Sequence, residues 1–312
     1  MEGRCVMRQM LFAVIWVVLC ATGAGAGPYE DAAKSAYESG DYTRAAQLTP
    51  IFAEQGEAWA QRNMGVMYMK GLGVPKDEWS ASMWFEKAAE KGDTLAQYYL
   101  AWMYDTGQGT LRQNLEKAAK WYRQSASQGN ADAQYRMGYI CINWWDVSCD
   151  AKETVNWYRQ AADQGNALAM TDLGNMYYRG NRILKNFKEA ATWYRKAAEL
   201  GNEEAQVNLG EMYRDGHGVS QDAKAAVTWF RKAAEQGNHD GMFHLAESYR
   251  MGQGMGKNIS LAYMWHSIAA SKRDGRSSKN LDEIEQKMSS EQLQKAQELA
   301  QRCQDTQYKE CG

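Results

Sequence analysis

Apolar positions four residues apart recur along this chain in short, phased runs. In Ala205-Gln206-Val207-Asn208-Leu209-Gly210-Glu211-Met212-Tyr213, the residues Ala205, Leu209 and Tyr213 fall on one stripe, the period of an amphipathic helix. A second run, Trp229-Phe230-Arg231-Lys232-Ala233-Ala234-Glu235, follows and stops at Gly237, a glycine helix end. This two-part pattern then returns. Trp84, Trp121, Trp157, Trp193, Trp229 and Trp265 are spaced 37, 36, 36, 36 and 36 residues apart. A period in this range marks a helical solenoid, with each repeat a pair of antiparallel helices. The units run over 57–92, 93–129, 130–165, 166–201, 202–237 and 238–275. Residues 27–56 carry paired helical patterns around Gly40-Asp41 but lack the Trp, which predicts a degenerate N-terminal capping repeat.

The connection inside most units holds two glycines separated by one residue: Gly71-Leu72-Gly73, Gly107-Gln108-Gly109, Gly216-His217-Gly218 and Gly252-Gln253-Gly254. Such glycines permit positive φ where a helix ends and the chain reverses. Without a preceding strand or a third glycine they do not make a phosphate cradle. Two units depart from the pattern. Unit 166–201 keeps Gly180 but has Arg182 at the second glycine; unit 130–165 has Trp144 and Asp146 at the two places, and Cys141 where the other units have Tyr.

The succession Ala205, Leu209-Gly210, Tyr213, Gly216-His217-Gly218-Val219 and Trp229 to Gly237 resembles the Sel-one-like repeat family, a branch of the tetratricopeptide-related solenoids. The resemblance spans residues 57–275 as six repeats. It implies an all-α, right-handed α-solenoid of antiparallel helix pairs with N- and C-terminal capping helices. Members of that family are generally adaptors that hold other proteins together, and bacterial ones are often exported. After Gly275 the repeat stops. Lys272, Arg273, Arg276 and Lys279 read as a short basic linker, and 276–312 as capping helices and tail, with helical patterns over 281–288 and 291–303 and Ser289 or Ser290 as N-cap.

Composition changes the picture only at the ends. The formal net charge of -2, with 45% hydrophobic and 24% charged residues, describes a folded chain with no general attraction to nucleic acid or anionic membranes. Arg4 and Arg8 precede an apolar run from Met10 to Cys20, followed by small residues and Ala24-Gly25-Ala26. This is the layout of a signal peptide over 1–26 cleaved after Ala26, and it predicts an exported, periplasmic protein without membrane insertion after cleavage. Cleavage leaves Cys141, Cys149, Cys303 and Cys311, two pairs with a separation of eight. In an oxidising compartment these predict disulfides. The pairing 141 to 149 and 303 to 311 closes the shortest of three connectivities, and the close pairs of a zinc knuckle are absent.

The repeated Trp, Tyr, Leu and Ala positions read as scaffold. Binding residues are expected on the other face of each first helix, which a solenoid of this kind lines up along a concave surface. There Tyr98, Tyr99, Trp102, Tyr135, Arg136 and Tyr139 gather in neighbouring units, the composition of a protein-binding hot spot. Packing of these rings between adjacent units is the structural alternative. The corresponding residues later in the chain are Thr171, Asp172 and Asn175, then Val207, Asn208 and Glu211, then Phe243, His244 and Glu247. Catalysis has little support. His217, His239, His244 and His266 form no metal-ligand spacing and no Ser-x-x-Lys occurs, so no catalytic residue, metal or cofactor is expected. The reading is a non-enzymatic scaffold gripping a peptide or helix of another envelope or secreted protein. A peptidoglycan or glycan binder is the alternative, since aromatic platforms also stack on sugars; a β-lactam-interacting enzyme is a remote third. Asn258-Ile259-Ser260 has the form of an N-glycosylation acceptor, relevant only in a eukaryotic secretory pathway.

Overall fold

The computed structural model describes residues 27–109, 111–143, 149–272, 274–309 and 311, and among these every regular element is an α-helix. The proposed signal peptide lies outside the described residues, as do Trp144, Asp146 and Arg273. Two compact bodies divide the chain between Asp150 and Ala151. In the N-terminal body α1 (Gly27–Glu38) pairs with α2 (Tyr42–Gln55), α3 (Ala58–Lys70) with α4 (Glu78–Glu90), and α5 (Thr94–Thr106) with α6 (Leu115–Ser127), before α7 (Ala131–Asn143). The C-terminal body begins with α8 (Ala151–Asp163). It continues with the pairs α9 (Ala167–Arg179) and α10 (Phe187–Glu199), α11 (Glu203–Asp215) and α12 (Ala223–Glu235), and α13 (His239–Met251) and α14 (Ile259–Ser271). Helices α15 (Gly275–Glu285) and α16 (Ser290–Asp305) both pack on α14.

Polar residues at the helix ends set these boundaries. Asp93, Asn166, Asn202 and Asn238 each accept a hydrogen bond from the backbone N–H three residues on, capping the first helices α5, α9, α11 and α13. Asp77, Asn114, Asn186, Asp222 and Asn258 do the same for second helices, so the Asn258 side chain is occupied as the cap of α14. The first helices end on left-handed glycines, as at Gly216 (φ 74°), whose N–H bonds the Met212 carbonyl.

Packing divides the repeated tryptophans of the scaffold, burying Trp193 and Trp265 and leaving the others at its edge. Trp84, Trp121, Trp157 and Trp229 are only half-buried, and Lys87, Lys196 and Lys232 lie 4.5, 4.2 and 4.2 Å over the rings of Trp84, Trp193 and Trp229. The ring in the core belongs to the next residue. Phe85, Tyr122, Tyr158, Tyr194 and Phe230 are fully buried. One position along a helix turns a side chain by about 100°, and the packed neighbours decide which of the two adjacent aromatics enters. Two helices bury both positions: α10, with Trp193 and Tyr194, and α14, with Trp265 and His266.

A second regularity lies in the Ala-Gln step. Gln61, Gln97 and Gln134 are buried and donate through Nε2 to the carbonyls of Ala53, Ala89 and Ala126 at 3.0, 3.1 and 3.1 Å. In the C-terminal body Gln206 donates to Ala198 O at 3.1 Å. Each bond gives a second donor to a last-turn carbonyl that already accepts the N–H of the following glycine, and ties one repeat to the next.

The C-terminal cap starts earlier than the sequence pattern predicts. Asp274 accepts from the Arg276 amide and from the Ser277 hydroxyl, and Arg276 also pairs with Asp240, so Arg276 and Lys279 of the expected basic linker belong to α15, while Lys272 is the C-cap of α14. Ser289 caps α16 in a capping box with Gln292. The cysteines stand at disulfide distance in the local pairing, Cys141 with Cys149 and Cys303 with Cys311, with Cα–Cα separations of 5.3 and 4.7 Å.

Candidate protein-binding face

In the N-terminal body, the aromatic residues come from α5 and α7. Tyr98 and Tyr99 sit at consecutive positions of α5 and are both half-buried, their ring centroids 5.6 Å apart. Tyr99 stacks on the core ring Phe85 at 5.1 Å, and Tyr98 approaches Tyr122 at 5.8 Å. One ring face of each is therefore used inside the body. Burial pushes the Tyr98 hydroxyl above the ordinary range; Asp132 adds to the shift, and the hydrogen-bonding charge of Arg136 on α7 opposes it. Tyr98 and Arg136 thus meet across the two helices. Trp102, one turn beyond Tyr98, is half-buried, as is Tyr135. Tyr139, one turn beyond Tyr135, is 39% exposed. Next to this set the Tyr122 hydroxyl donates to Asp105 at 3.3 Å, and burial raises it far above the tyrosine range.

The same helical positions of the C-terminal body carry a different chemistry. Thr171 and Val207 are buried. Asn175 accepts at Oδ1 from the Tyr194 hydroxyl (2.7 Å) and from Asn208 (3.4 Å), and donates to Glu204 at 3.2 Å. Burial raises Asp172 to about 6, against the hydrogen bonds it receives from Tyr158 and Asn175. Further along, Arg214 donates to His244 Nδ1 at 3.2 Å, which assigns the imidazole proton to Nε2, 3.2 Å from Glu211 Oε1. That bond from His244 is the main reason the Glu211 carboxyl is held low. The polar groups of this stretch are largely engaged with one another.

At the end of the array Glu247, His266, Ser277 and Asp274 form a line of hydrogen bonds. His266 Nε2 lies 3.0 Å from Glu247 Oε1, and His266 Nδ1 lies 3.2 Å from Ser277 Oγ. Ser277 donates its own proton to Asp274 at 2.9 Å. A serine, a histidine and a carboxylate in a row have the outline of a hydrolase triad. Here the serine proton points away from the imidazole, and Ser277 and His266 are fully buried, so the arrangement fastens α15 to the last repeat. Arg250 and Asn280 also donate to Glu247. Burial alone would raise Glu247, but the bonds from His266 and Arg250 outweigh it and hold the carboxyl at about 2. The sequence reading placed Glu247 on the open face and did not connect it with His266. The spacing of nineteen residues, one helix pair, was the available signal.

No helix among the described residues is long and apolar enough to cross a membrane. The Sel1 repeat pattern matches six consecutive segments, residues 60–93, 94–130, 131–166, 167–202, 203–238 and 239–274. Among solved structures, a Sel1 repeat protein from Oxalobacter formigenes is 34% identical over 76% of this chain and 94% of its own, with a TM-score of 0.68. A second, c5321, a protective antigen of uropathogenic Escherichia coli with an SLR fold, is 30% identical over 95% of this chain and 73% of its own, with a TM-score of 0.61. No curated protein matches the chain. Six matched segments, the helix pairs that carry them and two structures at this level of identity make the chain a member of the Sel1 repeat family.

Proposed function

We propose that the protein is an exported, non-enzymatic scaffold that binds a peptide or helix of another envelope or secreted protein, with Tyr98, Tyr99, Trp102, Tyr135, Arg136 and Tyr139 as its contact set. Sel1 repeat proteins commonly act as protein-interaction scaffolds, which supports a protein as the class of partner. The observation that carries the reading is the contrast between the two bodies. At the equivalent positions of α9 and α11 the C-terminal body has amides and carboxylates engaged with one another, whereas α5 and α7 of the N-terminal body carry half-buried aromatics ending in an exposed tyrosine. Rings held on one face by packing and open on the other lose little entropy on binding, which is how Tyr and Trp act at hot spots.

Export rests on the layout of residues 1–26, proposed as the signal peptide, and the two cysteine pairs at disulfide distance fit an oxidising compartment such as the periplasm. The relative from uropathogenic Escherichia coli is a protective antigen, which fits an envelope location.

Affinity capture from an envelope extract tests the reading. The protein is immobilised beside a Trp102→Ala, Tyr139→Ala variant whose circular dichroism and melting match it. The expected result is a partner held by the first and lost by the second, with the purified partner binding the variant at least about tenfold more weakly. Equal capture would move the site off these residues. Retention on a glycan column with no protein captured would favour a carbohydrate ligand.

A further inference from the structure

In the Gly-x-Gly turns the second glycine is where one repeat meshes with the repeat before it. Gly218 (φ 71°) lies on the first turn of α10, where an added Cβ would fall 2.8 Å from the Lys188 amide nitrogen. Gly254 lies in the same way on the first turn of α12, with a Cβ only 2.9 Å from the Lys224 amide nitrogen. Gly109 repeats the contact in the N-terminal body, and its N–H donates to the Glu78 carboxylate at 3.0 Å. At Gly218 and Gly254 these are contacts of backbone on backbone, with no room for a side chain, while at Gly109 the fit against Glu78 Cβ and carbonyl is tight, at 3.1 and 3.2 Å.

One turn of the C-terminal body breaks the rule. Arg182 stands 36 residues before Gly218 and keeps the left-handed backbone of the glycines, with φ 60°. The surface it should mesh with is the first turn of α8 at Ala151, 36 residues before Phe187. A Cβ at position 182 cannot enter the space that the glycines of the other turns occupy. A cleft of about 1100 Å³ opens here, between α8 and the turn from Gly180 to Asn186.

Its lining has two parts. Val155, Ile183 and Leu184 supply apolar surface, and Leu184 is 91% exposed. Lys152, Arg159, Arg182 and Lys185 stand around them, and no Asp or Glu is among the described lining residues. Arg159 is steadied by a 2.8 Å hydrogen bond to the Tyr177 hydroxyl, another wall residue. The first turn of α8 carries Glu153 against the positive end of its helix dipole, so the cations of the cleft are the side chains. On a chain of net charge -2, this concentration of cations is local. Three of these cations, Lys152, Arg159 and Lys185, around an aliphatic floor match carboxylates that flank a Leu or Ile side chain.

We propose that this cleft is a second docking site, independent of the aromatic face, for an acidic peptide segment of a partner protein that carries a Leu or Ile side chain. The carboxylates lie on Lys152, Arg159 and Lys185, and the aliphatic side chain covers Val155, Ile183 and Leu184. Arg182 makes the site by holding the turn off α8.

The test is fluorescence anisotropy with a fluorescein-labelled synthetic peptide of alternating Glu and Leu, titrated with the whole protein. Arg182→Gly restores the meshing glycine, suits the positive φ and so leaves melting unchanged or higher, while closing the cleft. Binding is expected to fall at least about tenfold. Arg182→Ala keeps the Cβ and is expected to bind within about threefold of the unaltered protein, separating the wedge from the charge. A Lys152→Glu, Arg159→Glu variant is expected to lose binding with its melting preserved. Undiminished binding by Arg182→Gly would overturn the proposal, as would equal binding of a Lys-Leu peptide. Binding to phosphatidylglycerol vesicles in place of the peptide would replace it with a membrane surface.

Discussion

The Phe230 ring of α12 lies on the backbone of Gly210 in α11, so close that a Cβ on the glycine would sit 2.5 Å from the ring. Gly174 and Tyr194 repeat the relationship at 2.5 Å in the preceding pair, and Gly65 and Phe85 repeat it at 2.6 Å in the N-terminal body. In these three first helices the glycine after the buried Leu or Met is therefore a seat for the core aromatic. Gly210→Ala gains helix propensity but must push Phe230 aside, and overpacking of this kind costs about 1–3 kcal/mol. Thermal melting should show a clear loss for Gly210→Ala. Gly256→Ala, with open space at its Cβ, should melt like the parent. An unchanged melting temperature for Gly210→Ala would show that the ring moves freely.

Gln206 is 3% exposed and donates to the Ala198 carbonyl, so its removal leaves that carbonyl without its side-chain donor. Gln206→Ala is expected to cost about 1–3 kcal/mol in urea unfolding. The exposed Gln301→Ala should stay within about 0.5 kcal/mol of the parent.

Asp172 opposes folding at neutral pH. Its folded carboxyl titrates at about 6, above its ordinary 3.8, so the folded state binds the proton more tightly and stability is recovered as pH falls through this window. Asp172→Asn should stabilise the protein at pH 7 by roughly 1–3 kcal/mol. The gain should shrink as pH falls through 6 and vanish by about pH 3, below the ordinary 3.8, where both states of the parent hold the proton. A gain of equal size at both pH values would mean that charge is not its origin.

Glu247 acts with the opposite sign. Its folded carboxyl is held at about 2, below its ordinary 4.5, so its contribution is present above 4.5 and is lost as pH falls towards 2. Glu247→Gln should destabilise the protein at pH 7 on the order of 2–3 kcal/mol, because His266 and Arg250 lose their carboxylate. Unfolding curves of parent and variant should converge as the pH approaches 2. Hydrogen exchange should show α15 loosening first, since the link from His266 to Ser277 holds it to the last repeat.

Much of this architecture is legible along the chain because its signals are local. A 36-residue period, Asn or Asp at helix starts and glycine at helix ends each act within a turn or two of backbone, so the helix pairs and their number follow from residues read in order. Tertiary packing decided the rest. Trp229 and Phe230 are equally apolar neighbours, and only the surface of α11, with Gly210 as a seat, makes Phe230 the core ring. The basic stretch around Asp274 reads as a linker because Asp274 becomes the N-cap of α15, accepting from Arg276 and Ser277, only once α15 lies on α14. Tyr98 and Arg136, 38 residues apart, meet because α5 and α7 belong to successive repeats. Arg182 reads as a single departure from a glycine pattern. It becomes a wedge only when the turn is set against α8, because excluded volume acts between surfaces that the order of residues does not display.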